Sequence, residues 1–242
     1  MTTTAEVSNR WSPFLAEHAD IINPLSVGGS YLWHLTALMV EKHYRPGDYV
    51  LELGCGPGDS TVPVITRPFT DQMSEKQFHL VDSSDRALRA CMRAMREKKY
   101  IRRASFFEED ALEFLRSRAE SFEYGVIYTA WMLHNFDHGH KRELLTLVNK
   151  HLRPGGTFIL MDKVYPQDKT ESRDMLDRQR RRYRLCLPPN VADAICEHET
   201  EDYHPDYRMD EASLASYLES IGFATVEVID RVERDCVIVC TK

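Results

Sequence analysis

VLELGCGPGDST, Val50 to Thr61, sets three glycines at alternate positions, Gly54, Gly56 and Gly58, directly after an apolar run that carries an acid at Glu52. A strand that turns at once into a helix beside a ligand needs glycine where a Cβ would block close backbone approach. The N–H groups it exposes then face the ligand. Glu52 adds an acceptor at the strand end. Taken alone, the turn reads either as a ligand cradle or as a tight strand-to-helix connection. The ends of the neighbouring strands decide between the two.

Working outward, β-rich runs alternate with helical stretches from Asp48 to Met161: DYVLEL, FHLV, ASFFE, YGVIYT and TFILM. Helices are expected between them over 60–65, 85–98, 111–116 and 140–151, the last closed by RPGG, Arg153 to Gly156. That order predicts βαβ units and a parallel sheet. MDEASLASYLESIGF reads as a helix capped from Asp210 and ending at Gly222. FATVEVI and DCVIVC then read as a closing antiparallel hairpin around RVER. Cys236 and Cys240, four apart on an alternating strand, share a face and read as small core residues. The expected organisation is an N-terminal helical lid segment over 1–46, a cofactor-binding core over 47–161, a helical insert or lid over 162–209, and a helix and hairpin over 210–242 that complete the core. The two lid segments flank the carboxyl ends of the strands, where ligands of open α/β sheets bind.

The 242 residues suit one domain, or one domain with an appendage, and 43% apolar and 29% charged residues are the composition of a globular protein. A formal charge of -7 gives no global attraction to nucleic acid or an anionic membrane. The run RQRRRYR, Arg178 to Arg184, reads as the solvated face of a helix or as an RNA-binding strip; the acidic total lacks the many phosphate contacts the strip would need. The six cysteines form no C-x-x-C pair and no cluster at zinc spacing, so no metal is expected. With no secretory signal and no run of ~20 apolar residues, the chain reads as cytoplasmic, with reduced thiols and no membrane partner. Its oligomeric state is not legible.

The second strand ends in VDSS, placing Asp82 and Ser83 where a dinucleotide fold holds ribose hydroxyls, and the third is followed by FFEEDAL, placing Asp110 at the next strand end. Three acids at the ends of three successive strands, with a G-x-G-x-G turn after the first, resemble the class I S-adenosylmethionine (SAM)-dependent methyltransferases. The resemblance covers roughly residues 48–161 and the terminal hairpin. It implies a Rossmann-like α/β fold: a seven-stranded, mostly parallel sheet with a C-terminal antiparallel hairpin and a helical lid, taking SAM as cosubstrate. On matching positions it implies that Gly54, Gly56 and Gly58 border the methionine portion, with Glu52 at the strand end. Asp82 with Ser83 would hold the ribose diol, Asp110 and Ala111 would meet the adenine, and Thr129 and Ala130 would lie beside the methionine end. LRPGG matches the family's turn before strand five. The G-x-G-x-G spacing and the antiparallel finish separate the chain from a nicotinamide dehydrogenase. Two departures stand out: Gly125 replaces an aspartate often seen at the start of the fourth strand, and 30 residues separate Glu52 from Asp82, through the insert RPFTDQMSEKQ. LSVGGSYLWHL and the insert after strand five also look like carboxy-SAM synthase and its relatives, which implies that Tyr31 or Ser30 touches the cofactor. The arginine those enzymes use for the carboxylate has no convincing equivalent here.

Methyl transfer from a sulfonium is an in-line displacement, so the enzyme mainly orients the nucleophile and, where needed, removes a proton. TAWMLHNF, after the fourth strand, offers Trp131, His134 and Asn135. Trp131 reads equally as core and His134 as a helix-cap neighbour. The Asn135 amide can donate to a carboxylate and accept from an amine. The expected catalytic set is Asn135 and Tyr183, with His134 as an alternative proton acceptor. Trp33, Trp131, Tyr203 and Tyr207 would line the substrate, and Tyr31 and Tyr183 lead the lid aromatics that could enclose a sulfonium by cation–π contact worth about 0.5–2 kcal/mol. Three readings stay open: methyl transfer to a small-molecule acceptor, cyclisation of SAM to azetidine-2-carboxylate with release of methylthioadenosine, and a SAM-binding module or RNA methyltransferase.

Overall fold

Val50–Leu53 is fully buried, as the apolar residues around Glu52 require of a strand covered on both faces. It is β1 of a computed structural model that describes residues 10–26, 28–119 and 122–242. The first nine residues of the expected N-terminal lid lie outside the described residues. Before β1 come α1 (Pro13–Glu17), capped by the Ser12 hydroxyl, α2 (Ala19–Ile22) and α3 (Gly29–His43). After it come α4 (Thr61–Ile65), β2 (Phe78–Asp82), α5 (Asp85–Glu97), β3 (Ala104–Glu108), α6 (Ala111–Ser117), β4 (Tyr124–Ala130), α7 (His138–His151) and β5 (Leu152–Tyr165). The insert then forms α8 (Lys169–Cys186) and α9 (Pro189–Asp202), and β6 (Met209–Asp210), α10 (Glu211–Ser220), β7 (Thr225–Val232) and β8 (Asp235–Thr241) finish the chain. Helix α7 starts two residues before its expected start at His140, because the Asp137 carboxylate accepts the His140 N–H at 2.9 Å and caps it.

The sheet order is β3-β2-β1-β4-β5-β8-β7, parallel from β3 to β5 and antiparallel at β8 and β7. Chain direction across the sheet reverses between β1 and β4, which opens the switch-point crevice at their carboxyl ends. Among the described residues the sheet has eight strands rather than seven. The extra strand exists because β5 runs past its expected end at Met161 to Tyr165, leaving Val164 and Tyr165 to pair with β6. Side chains alternate between two cores. Phe158, Leu160, Cys236, Ile238 and Cys240 meet α6, α7 and α10 on one face; Ile159, Met161, Val237 and Val239 meet α3, α4 and α5 on the other. Cys236 and Cys240 thus share one face of the core. Among the described residues no helix is long and apolar enough to cross a membrane.

Gly125 has a steric cause. A Cβ there would lie 2.1 Å from the Asp48 carboxyl, which enters from before β1 and receives Arg153 of the RPGG turn at 2.9 and 2.8 Å. The acid expected at the start of β4 is supplied from Asp48, and position 125 must be bare to admit it.

The N-terminal segment and the insert form a third core of their own. Leu15 and Ile22 pack with Tyr183, Leu187, Val191, Ile195 and Cys196, and Gln179 donates to the Leu25 carbonyl at 3.2 Å. A buried ion cluster joins this unit to the sheet. Glu199 of α9, 1% exposed, accepts both terminal nitrogens of Arg234, from Nη2 at 2.7 Å, and faces Lys163 of β5 at 3.4 Å. Burial alone would raise the Glu199 carboxyl; the Arg234 and Lys163 cations outweigh it and hold it at about 2. The arginine run of α8 turns partly onto protein, with Arg178 and Arg182 facing Glu233 and Arg180 facing Asp177.

Two stability changes follow. Gly125→Ala should lower unfolding free energy in urea by about 1–3 kcal/mol, the cost of overpacking a filled site. Glu199→Gln leaves the buried Arg234 without its paired carboxylate, while Lys163 keeps Asp202 at 2.6 Å, and should cost about 3–5 kcal/mol in the same assay. Unchanged midpoints would remove these explanations.

Candidate active site

At the carboxyl end of β1 the backbone turns left-handed at each glycine, with φ of 71° at Gly54, 53° at Gly56 and 102° at Gly58. Each does a different job. A Cβ at Gly54 would fall 2.4 Å from Met132 Cγ, and one at Gly58 would fall 3.3 Å from Cys91 Sγ, so these two admit neighbours from the β4 end and from α5. A Cβ at Gly56 would meet nothing within 4 Å, which marks it as the open side of the turn. The turn is tied to β2: Gly54 and Cys55 donate to the Val81 carbonyl at 2.8 and 3.0 Å, and Gly56 donates to Asp82 Oδ2 at 2.8 Å. Burial raises the Asp82 carboxyl above its ordinary value, while the Ser84 and Gly56 N–H groups act to lower it. Ser83 is exposed beside it.

Asp110 caps α6, its Oδ1 accepting the Leu112 and Glu113 N–H groups at 2.9 and 3.3 Å, with Ala111 buried next to it. Thr129, at the end of β4, is fully buried and its hydroxyl has no hydrogen-bond partner among the described residues; Ala130 is half-buried. Trp131 sits at φ 50°, a conformation rare for a bulky residue. It is held there by its N–H to the Met161 carbonyl at 2.9 Å, its indole N–H to Asp235 Oδ1 at 3.2 Å, and an edge contact with Trp33 at 5.3 Å between ring centroids. Tyr31 is 52% exposed and donates to Asp230. It lines a cleft of about 800 Å3 with Asn23, Ser26, Ser30, Trp33 and Asp59, the residue after Gly58. The structure therefore assembles the glycine turn and Asp82, brings Trp33 onto Trp131, and sets Asp110 one strand further out.

The remaining candidates divide. His134 is buried; its Nδ1 lies 2.6 Å from Asp162 Oδ1 and its Nε2 3.8 Å from Asp202 Oδ2. Next to it, Asn135 donates through Nδ2 to the Met132 carbonyl at 3.2 Å, while its Oδ1 is buried without a partner among the described residues. Tyr183 is 3% exposed in the third core, donates to Glu199 at 3.3 Å, and is raised by burial and by Glu199. Tyr203 packs edge-on against Tyr165 under the Arg208 guanidinium, and Tyr207 lies under Arg10. These three are engaged by packing and by the ion cluster. His134, His198 and Asp202 carry donor atoms within 4.8 Å of one another, but Lys163 lies 2.6 Å and Arg10 3.0 Å from the two Asp202 oxygens, so a metal ion there would have to displace cations already in place. Sequence reasoning missed Asp162, Asp202 and Asp235. The available signal was a charged pair, Asp162 and Lys163, inside an otherwise apolar strand run, since such groups are rarely buried unless paired.

Residues 50–156 match the methyltransferase domain family. The chain is 26% identical over 219 residues, 87% of its length and 80% of the relative's, to a ubiquinone/menaquinone biosynthesis C-methyltransferase of Teredinibacter turnerae. It is also 26% identical over 141 residues, 58% of its length, to a ribosomal RNA small subunit methyltransferase G of Coxiella burnetii, and spans about three fifths, 61%, of that protein. Among solved structures it is similar to an O-methyltransferase family protein from Burkholderia thailandensis, with a TM-score of 0.67 at 15% identity over 96% of this chain and 61% of that one. The domain match lies on the glycine turn and the strands that follow it, and the fold is similar to that of solved methyltransferases: residues 50–156 of the chain match a methyltransferase domain.

Proposed function

We propose that the protein transfers the methyl group of SAM to a nucleophile on a small molecule. The observation that carries this reading is the open side of the glycine turn at Gly56, bonded to the Asp82 carboxylate at the sheet's switch point. SAM, when bound, supplies a methyl held on a cationic sulfur for in-line displacement. Asp82 would accept the ribose hydroxyls, exchanging its bond from Gly56. Asp110 spends Oδ1 on the helix cap, and its other oxygen would accept from the adenine amine.

Asn135 would orient the acceptor. Its Nδ2 is spent on the Met132 carbonyl and its Oδ1 is a buried acceptor lacking a donor, which an amine or hydroxyl would supply. His134, with both ring nitrogens facing carboxylates, would position the turn that carries Asn135; Tyr183 would act further out through Glu199. The Trp33–Trp131 pair beside Gly29 would cover the sulfonium. A small acceptor is supported by the joined lid segments and by a net charge of -7 that disfavours nucleic acid. The named relatives favour methyl transfer over cyclisation.

Calorimetry with S-adenosylhomocysteine should show binding that Asp82→Ala weakens by about 1–3 kcal/mol, the scale for hydrogen bonds to a charged acceptor. Equal affinity in a folded variant would remove the assignment. With SAM alone the protein should release no product, and S-adenosylhomocysteine should form only when an acceptor is added. Acceptor-independent methylthioadenosine would replace this reading with cyclisation, and binding without turnover on any acceptor would leave a binding module. Asn135→Ala should lower kcat by about 10- to 1000-fold with little change in cofactor affinity.

A further inference from the structure

We propose that Glu52 is the proton-exchanging group of the cofactor site: it holds a proton in the free chain and releases it when the charged methionine end of the cofactor occupies the glycine turn. This rests on the reading above. The register of β1 against β4 sets Glu52 opposite Tyr128, on the face covered by α4 and α5, and the side chain is fully buried. Its partners are three hydroxyls, Ser60 at 2.5 Å, Thr61 at 2.6 Å and Tyr128 at 2.7 Å. Among the described residues no lysine, arginine or histidine pairs with it, in contrast to Glu199, which is equally buried but faces two cations.

The groups around it from every packed element are neutral or acidic: Tyr128 of β4, Asp82 of β2, Ser60 and Thr61 at the start of α4, Cys55 of the turn and, beyond Thr61, Cys91 of α5. Burial raises the carboxyl, the three hydroxyls pull it back in part, and Asp82 raises it further, to about 7. Hydroxyls serve both states. A protonated carboxyl donates to one of them and an ionised one accepts from all three, after only an O–H rotation. What the site lacks is a positive charge. SAM brings an ammonium and a sulfonium to the turn that begins two residues after Glu52; the carboxyl O–H bond then breaks and the proton passes to the buffer.

The signs follow from linkage. Below pH 7 the free chain must give up the proton in order to bind, so cofactor affinity rises with pH up to about 7 and then levels. In the free chain the opposite holds for stability. The folded form keeps a proton that the unfolded chain loses above the ordinary 4.5, so Glu52 subtracts stability as pH rises from 4.5 to about 7.

The test is calorimetry of SAM and S-adenosylhomocysteine at pH 6, in two buffers of different ionisation enthalpy, with affinities followed from pH 5.5 to 7.5. We expect net proton release on binding, larger for SAM because of its sulfonium, and an affinity gain of about tenfold over the range, one pH unit of linkage being a factor of ten. Glu52→Gln should abolish both the buffer dependence and the slope. Binding with no proton release and no slope in the native protein overturns the proposal while leaving the cofactor assignment intact. An unchanged slope in Glu52→Gln also overturns it, by assigning the proton to another group. Absence of any binding removes both readings. The native-protein measurement decides the matter even if the variant does not fold.

Discussion

The N–H of Gly56 donating to the Asp82 carboxylate is the contact on which the rest of the site depends. It joins the turn after β1 to the end of β2, and it exists only because the backbone can run left-handed through three alternate glycines without a Cβ striking Met132 or Cys91. With that bond in place the turn presents its open side at the crevice where chain direction reverses, bordered by the β4 end and by the cleft at Tyr31. A side chain at any of the three positions would act first on this geometry and only through it on binding.

The protein buries acids in two ways. At Glu199 and Asp202 the charge is kept and answered by Arg234, Lys163 and Arg10, and the result is mechanical: the insert helices are bound to β5 and to the start of β8. At Glu52 no cation among the described residues answers, and hydroxyls surround the carboxyl instead. The two solutions suit different tasks. A paired charge in low dielectric is costly to separate and serves a joint that stays closed. A carboxyl without a counter-ion responds to any positive charge brought near it, and it lies beneath the turn.

The N-terminal segment and the insert are joined by packing across the sequence. Leu15 and Ile22 meet Tyr183, Leu187 and Val191 in a core separate from the two faces of the sheet, so the N-terminal segment and the insert form one unit. Trp131, directly after β4, is tied to that unit, since its indole shares Asp235 with Ser26 of the N-terminal segment.

The amino-acid sequence by itself determined the parallel core, the terminal hairpin and the glycine turn, because these depend on local rules: alternation of apolar residues along strands, glycine where the backbone must turn left-handed, and acids at strand ends. Cys236 and Cys240 were placed on one core face by their spacing alone. What only the tertiary structure decided lies in contacts between distant segments. The short β6 follows from how far β5 runs, and Gly125 was legible as a departure but not as a cause, because the carboxyl that fills its space comes from Asp48 and is held by Arg153, 105 residues further along. His134 was visible beside Asn135, yet its partners Asp162 and Asp202 come from β5 and α9. Tyr183 was visible as an aromatic of the insert after strand five, but its bond to Glu199 of the next helix was not. The physical reason is common to all of these. A buried polar group must find its partner wherever the fold brings one, and pairing across long sequence separations leaves no periodic trace in the chain.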